Sequence, residues 1–162
     1  MAIDYDTIRD VIAATRHCVI ATSSPTGEPW LSTVFFNYTP DFDLVWESAR
    51  DARHSQLLRE NPRVAIYIGR HDQITGALFG DAEASEVSAG DIPAALGTWL
   101  HGPHQREDPQ RTPDDYAFGK PLGLYRAHLR ELYVISHTKL EGYTVEQREK
   151  VDLGRLRGSD RS

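Results

Sequence analysis

From His17 to Val87 the chain runs through short strand-forming segments separated by tight clusters of turn formers, with a single helix-like stretch among them. His17 to Ser23 is apolar on both faces, Ser24-Pro25-Thr26-Gly27-Glu28-Pro29 is dense in turn residues, and Trp30 to Tyr38 is rich in aromatic and β-branched residues. That pattern reads as a hairpin. A second turn, Pro40-Asp41-Phe42-Asp43, leads into a strand over Leu44 to Glu47. Arg63 to Gly69 and Thr75 to Val87 read as further strands, and Gly76 and Gly80 in the latter suggest a bulge, a barrel corner or a close ligand. Leu129 to Ser136 resumes strand character. About six strands joined mostly by tight turns favour an antiparallel Greek-key barrel with short flanking helices over a βαβ design.

The helices are few. Asp4 or Asp6 caps a first one carrying Ile8, Val11 and Ile12 and ending near Arg16; Ala89 to Leu100 forms another, with Pro93 in its first turn. His101 to Tyr116 reads as a polar loop, and GRLRGSDRS at the end looks too polar to order itself. The expected organisation is one domain over 1–145 and a polar tail over 146–162. A chain of 162 residues with 40% hydrophobic content supports one core without disulfide or metal. The single cysteine, Cys18, sits in an apolar run and reads as a core thiol, which fits a reducing compartment. A net charge of -6 with scattered basic residues disfavours nucleic acid, and the absence of a long apolar stretch disfavours a membrane span. The expected location is cytoplasmic.

The segment Trp46 to Val64, WESARDARHSQLLRENPRV, carries the chemistry. A strand enters a helix over Ala52 to Glu60 that buries Leu57 and Leu58 and stops at Asn61-Pro62. Its first turn holds Arg53 and His54, with Ser48, Asp51 and Ser55 as nearby capping and hydroxyl groups. Unpaired N–H groups and the partial positive charge of a helix start, joined by Arg53 and a protonated His54, make a localised anion site suited to phosphate.

Ala21-Thr22, Gly27-Glu28-Pro29, the strand Ser32 to Asn37, the segment Ser48 to His54 and Asn61-Pro62-Arg63-Val64 occur in an order that resembles the FMN-binding split barrels of the pyridoxamine 5'-phosphate oxidase superfamily. The resemblance covers about Ala21 to Glu86 and Tyr125 to Ser136. It implies a homodimer holding two FMN molecules at its interface and acting on a small organic substrate by hydride transfer. It places Ser32, Thr33 and Val34 against the flavin ring, largely through backbone groups, with Val34 packing on it. Ser48 matches a hydroxyl residue contacting the flavin, Arg53 and His54 an Arg-Lys pair on the phosphate, and Thr75 a glutamine that hydrogen-bonds the cofactor. The dimer would cover Phe35, Phe36 and the strand around Leu132 to Ile135.

The sequence also departs from that pattern. Ser32 stands where the vitamin-making oxidases place an Arg on the phosphate, Asn37 where they place a Lys facing substrate, and their C-terminal Trp and Arg-x-His have no counterpart near Gly154 to Arg157. The chain is more similar to short bacterial members, some of them reductases and some binders of deazaflavin or haem. A nonenzymatic flavin carrier or sensor is the alternative, and no side chain is named as catalytic. Remaining candidates read as structural. His101 and His104 lie in a surface loop broken by Gly-Pro and not in a metal site, and His128 and His137, nine apart, fall on opposite strand faces. Trp30, Trp46 and Trp99 read as core, and Ser23-Ser24 lacks a nucleophile elbow.

Overall fold

The computed structural model describes residues 3–70, 76–106 and 110–158. Its elements are α1 (Tyr5–Ala14), β1 (His17–Ser23), β2 (Pro29–Phe35), β3 (Asn37–Tyr38), β4 (Leu44–Ala49), α2 (Arg53–Glu60), β5 (Arg63–Ile68), β6 (Leu78–Glu86), α3 (Ile92–His101), β7 (Leu122–Leu140), β8 (Tyr143–Lys150) and α4 (Leu153–Leu156). All strand pairings are antiparallel, in one eight-stranded sheet ordered β2-β1-β5-β6-β7-β4-β3, with β8 added on β7.

The sheet curls because Pro29 to Tyr38 crosses from one edge to the other. Its first part, β2, pairs with β1 from Pro29 to Phe35, and after Phe36 its second part, β3, pairs with β4. The strand order thus closes at one end, while β2 and β4 face each other without a ladder at the other: a split barrel. Ile20, Val34, Trp46, Ile66, Leu78 and Leu129 fill the interior. α3 packs over β3 and β4, and α2 lies against β1, β2 and β6. No helix among the described residues is long and apolar enough to cross a membrane.

Several expectations need correction. The sheet has eight strands instead of six, because β8 and the two-residue β3 are added. The expected boundary at 145/146 cuts through β8, and α4 lies within the supposed tail. Asp152 caps α4 by accepting from the backbone N–H groups of Gly154 and Arg155, and Val151 and Leu156 are buried in the core. These anchors and the cap, with Arg9 donating to the carbonyls of Arg155 and Leu156 and Arg157 to that of Asp41, hold the short polar segment.

A bulge in β7 changes its side-chain parity. Asp81 pairs with Glu131 but Ala82 pairs with Leu129, so Arg130 is the extra residue, and Leu129 and Leu132, three apart, are both buried. Gly80 sits beside it because a Cβ there would meet Leu129 Cδ2 at 3.0 Å. The bulge also puts His128 and His137 on the same outer face, contrary to the count of nine, where they pair separately with Asp43 at 2.7 Å and Glu146 at 4.0 Å.

His104 is buried, not a surface-loop residue. Its ring nitrogens lie 2.7 Å from the Phe36 carbonyl and 2.9 Å from that of Ile12, and its backbone N–H donates to Asn37 Oδ1. Trp46 and Trp99 are core, but Trp30 stands 48% exposed at the rim. Cys18 is buried, and burial pushes its thiol up to about 12, which makes it inert.

Candidate functional site

The open slot between β2 and β4 is bridged by one side chain. His54, in the first turn of α2, places Nδ1 3.0 Å from Ser32 Oγ on β2 and Nε2 2.8 Å from Ser48 Oγ on β4. Ser32 and Ser48 both point into the barrel because they share the inward parity of Val34 and Trp46 on their strands. A neutral imidazole has one donor and one acceptor nitrogen, and a hydroxyl serves either role, so both ends are satisfied without charge. Burial holds the His54 pKa below the ordinary imidazole value. That burial works against the protonated His54 of the expected anion site, and a charged partner would have to offset it.

The start of α2 is left open. Its N-cap is Ala52, with no side-chain cap and no acid in the first turn. Ser48, Asp51 and Ser55 do not cap it, contrary to expectation: Ser48 is engaged by His54, Asp51 contributes only its carbonyl, to Gln56, and Ser55 is buried. The leading N–H groups of the helix thus keep the capacity to receive an anion. Arg53 flanks them, 48% exposed and 3.8 Å from Glu28.

Beneath this turn lies a polar layer that sequence reasoning missed. The Ser55 hydroxyl and Tyr125 phenol are close together without an aligned hydrogen bond, and both are buried; Trp46 stacks on Tyr125 at 5.8 Å with its Nε1 unpartnered. Burial raises the Tyr125 pKa. Arg50, just after β4, donates from Nε to Glu86 at 2.6 Å and to the carbonyls of Tyr116, Ala117 and Lys120, which fastens the segment after Tyr116 beside the helix start. The only sequence signal for this layer was the density of Ser and Arg between positions 48 and 59.

The other expected site residues are dispersed. Thr33 is exposed on the face opposite Ser32, while Val34 is enclosed in the core opposite Cys18, so its side chain does not offer a surface for a ring. β2 nevertheless ends the sheet path, which leaves one edge of its backbone without a ladder partner among the described residues. Thr75 lies outside the described residues. Asn37 is wholly buried, donating to the carbonyls of Trp99 and His104, and faces no substrate site. Glu47, on the opposite face of β4 from Ser48, accepts from Arg111 at 2.9 Å and Tyr116 at 2.6 Å. Burial alone would raise its pKa, but these partners bring it below the usual carboxylate value. No group of three or more metal-ligating side chains occurs among the described residues.

A curled antiparallel sheet left open between β2 and β4, with a helix start and polar side chains at the opening, defines a split-barrel protein. The family pattern of pyridoxamine 5'-phosphate oxidase matches residues 5–115, and the chain belongs to that family. A haem-binding protein from Mycobacterium smegmatis superposes with a TM-score of 0.66 at 16% identity, over 98% of this chain and 62% of that one. The haem storage protein HutZ from Vibrio cholerae gives 0.59 at 21% identity, over 83% and 95%. An F420 reductase gives 0.53 at 15% identity, over 76% and 94%. At these identities the likeness is one of fold. No curated protein matches the sequence.

Proposed function

We propose that the protein is a homodimeric FMN-dependent oxidoreductase that acts on a small organic substrate, in the cytoplasm, with the flavin phosphate at the start of α2. The observation that carries this reading is the convergence of Ser32, Ser48 and His54, distant in sequence, beside an uncapped helix start flanked by Arg53. The open edge of β2 next to them supplies backbone donors and acceptors of the kind a flavin's pyrimidine edge requires. The fit is partial: Arg53 is the one permanent cation of the expected set, since Ser32 and His54 stand in the other two positions. When bound, the flavin would supply hydride transfer, and the chain's residues would bind and orient it. Haem fits less well, because His54, the imidazole at the site, has both nitrogens engaged and presents no ready axial ligand.

Binding of FMN and riboflavin to wild type and Arg53→Ala tests the reading. Loss of a charge-assisted contact of about 1.5 kcal/mol or more predicts FMN weakened roughly tenfold or more, with riboflavin little changed. Equal loss for both ligands, or none for either, would remove Arg53 from the site.

A further inference from the structure

We propose that His54 selects the phosphate end of the ligand in a proton-dependent way: a phosphate-bearing flavin binds together with a proton taken up by the imidazole, whereas a phosphate-free flavin does not. This rests on the placement of the flavin phosphate at the start of α2.

The geometry points to it directly. His54 is held between two hydroxyls, 3.0 Å from Ser32 Oγ and 2.8 Å from Ser48 Oγ, so it bridges the two strands that border the slot. No carboxylate among the described residues pairs with the ring to favour its charge. The charged and titratable groups around it are distributed by side. Arg53 and Glu28 lie toward solvent, and beneath the turn Tyr125 is influenced by Glu86, Arg59 and Arg50. On β4, Glu47 points to the opposite face and is engaged by Arg111 and Tyr116.

A phosphate dianion at the helix start would be the one strong negative charge beside the ring. Opposite charge favours the protonated imidazole, and the two serines can then both accept from its N–H groups by rotating their hydroxyls. The clasp survives protonation with its hydrogen bonds reversed at one end. A permanent cation at this position would hold phosphate at any pH; His54 makes affinity depend on pH instead.

Calorimetry of the intact protein with FMN and with riboflavin, at pH 7.5 in two buffers of different ionisation enthalpy, counts the protons taken up. Wild type should take up a proton fraction approaching one per FMN and none per riboflavin, and His54→Gln, which keeps hydrogen-bonding capacity, should take up none with either. From pH 8.5 to 6.5 the ratio of wild-type to His54→Gln affinity for FMN should rise roughly thirtyfold or more, since one proton per FMN is worth about tenfold per pH unit, and titration of the phosphate itself cancels because both proteins meet the same ligand. An NMR titration should show the His54 ring pKa raised by FMN and unmoved by riboflavin. FMN binding with no proton uptake, or with the uptake unchanged in His54→Gln, overturns the inference while leaving the flavin site standing. If neither flavin binds, the site assignment fails and the inference fails with it.

Discussion

Asn37 shows how a polar residue at a position matched to a site can serve the core instead. Its carboxamide is wholly buried, donates to the carbonyls of Trp99 at 3.1 Å and His104 at 2.9 Å, and accepts from the His104 N–H at 2.9 Å. It pins the end of α3 and the segment after it to β3. Asn37→Leu should therefore cost about 3 kcal/mol or more by stranding three buried backbone groups, read as a lowered denaturant midpoint, while flavin affinity of the folded protein stays near wild type. A selective loss of ligand binding without loss of stability would return Asn37 to the site. The sequence showed which residue occupies the position but not what encloses it, because His104 lies 67 residues away and a Gly-Pro break hid its approach. Ser32, Ser48 and His54 were legible as separate candidates. Their mutual hydrogen bonds were not, since they depend on how the two sheet edges come together.

At the scale of elements, α2 was legible because the requirements of its two ends differ. Leu57 and Leu58 face the barrel, and Pro62 follows a stop at Asn61, whose side chain receives the Arg63 N–H. The start was misread in one respect, because the polar residues available for capping are used elsewhere. An open cap costs a helix stability, and its retention here suits a ligand that completes it. Ala52→Asp should raise the unfolding free energy by about 1 kcal/mol through a new cap, and should weaken FMN roughly tenfold by placing a carboxylate where the phosphate binds. Stabilisation with unchanged FMN affinity would put the phosphate elsewhere. β8 escaped sequence reading for the opposite reason: among the described residues no third strand pairs with the β7–β8 ribbon beyond Ile135, and Tyr143 to Lys150 is exposed almost throughout and carries no apolar alternation.

At the scale of the whole molecule, part of the surface expected to meet a second copy is closed within one chain. Phe36 and Leu132 are buried within a single chain, and Phe35 packs edge-on against Trp99. An apolar surface among the described residues lies on the outer side of β1, β2, β5 and β6, where Val19, Ala21, Leu31, Ala65, Tyr67 and Phe79 line a shallow groove of about 200 Å³ and Leu31 is 67% exposed. On this account the protein has a solution mass near twice 18.3 kDa, and Leu31→Glu yields a folded monomer with weakened flavin binding. A wild-type monomer that binds FMN stoichiometrically would separate the site from assembly. The curled sheet and its family were readable from the order of turns and strands; which apolar residues stay exposed was not, because that depends on how the elements pack on one another. The most direct measurement of all is the absorbance spectrum of the purified protein after mixing with FMN and removal of free ligand. The account predicts flavin bands at one FMN per chain. A haem Soret band, a deazaflavin spectrum, or a colourless protein that retains no FMN would contradict it.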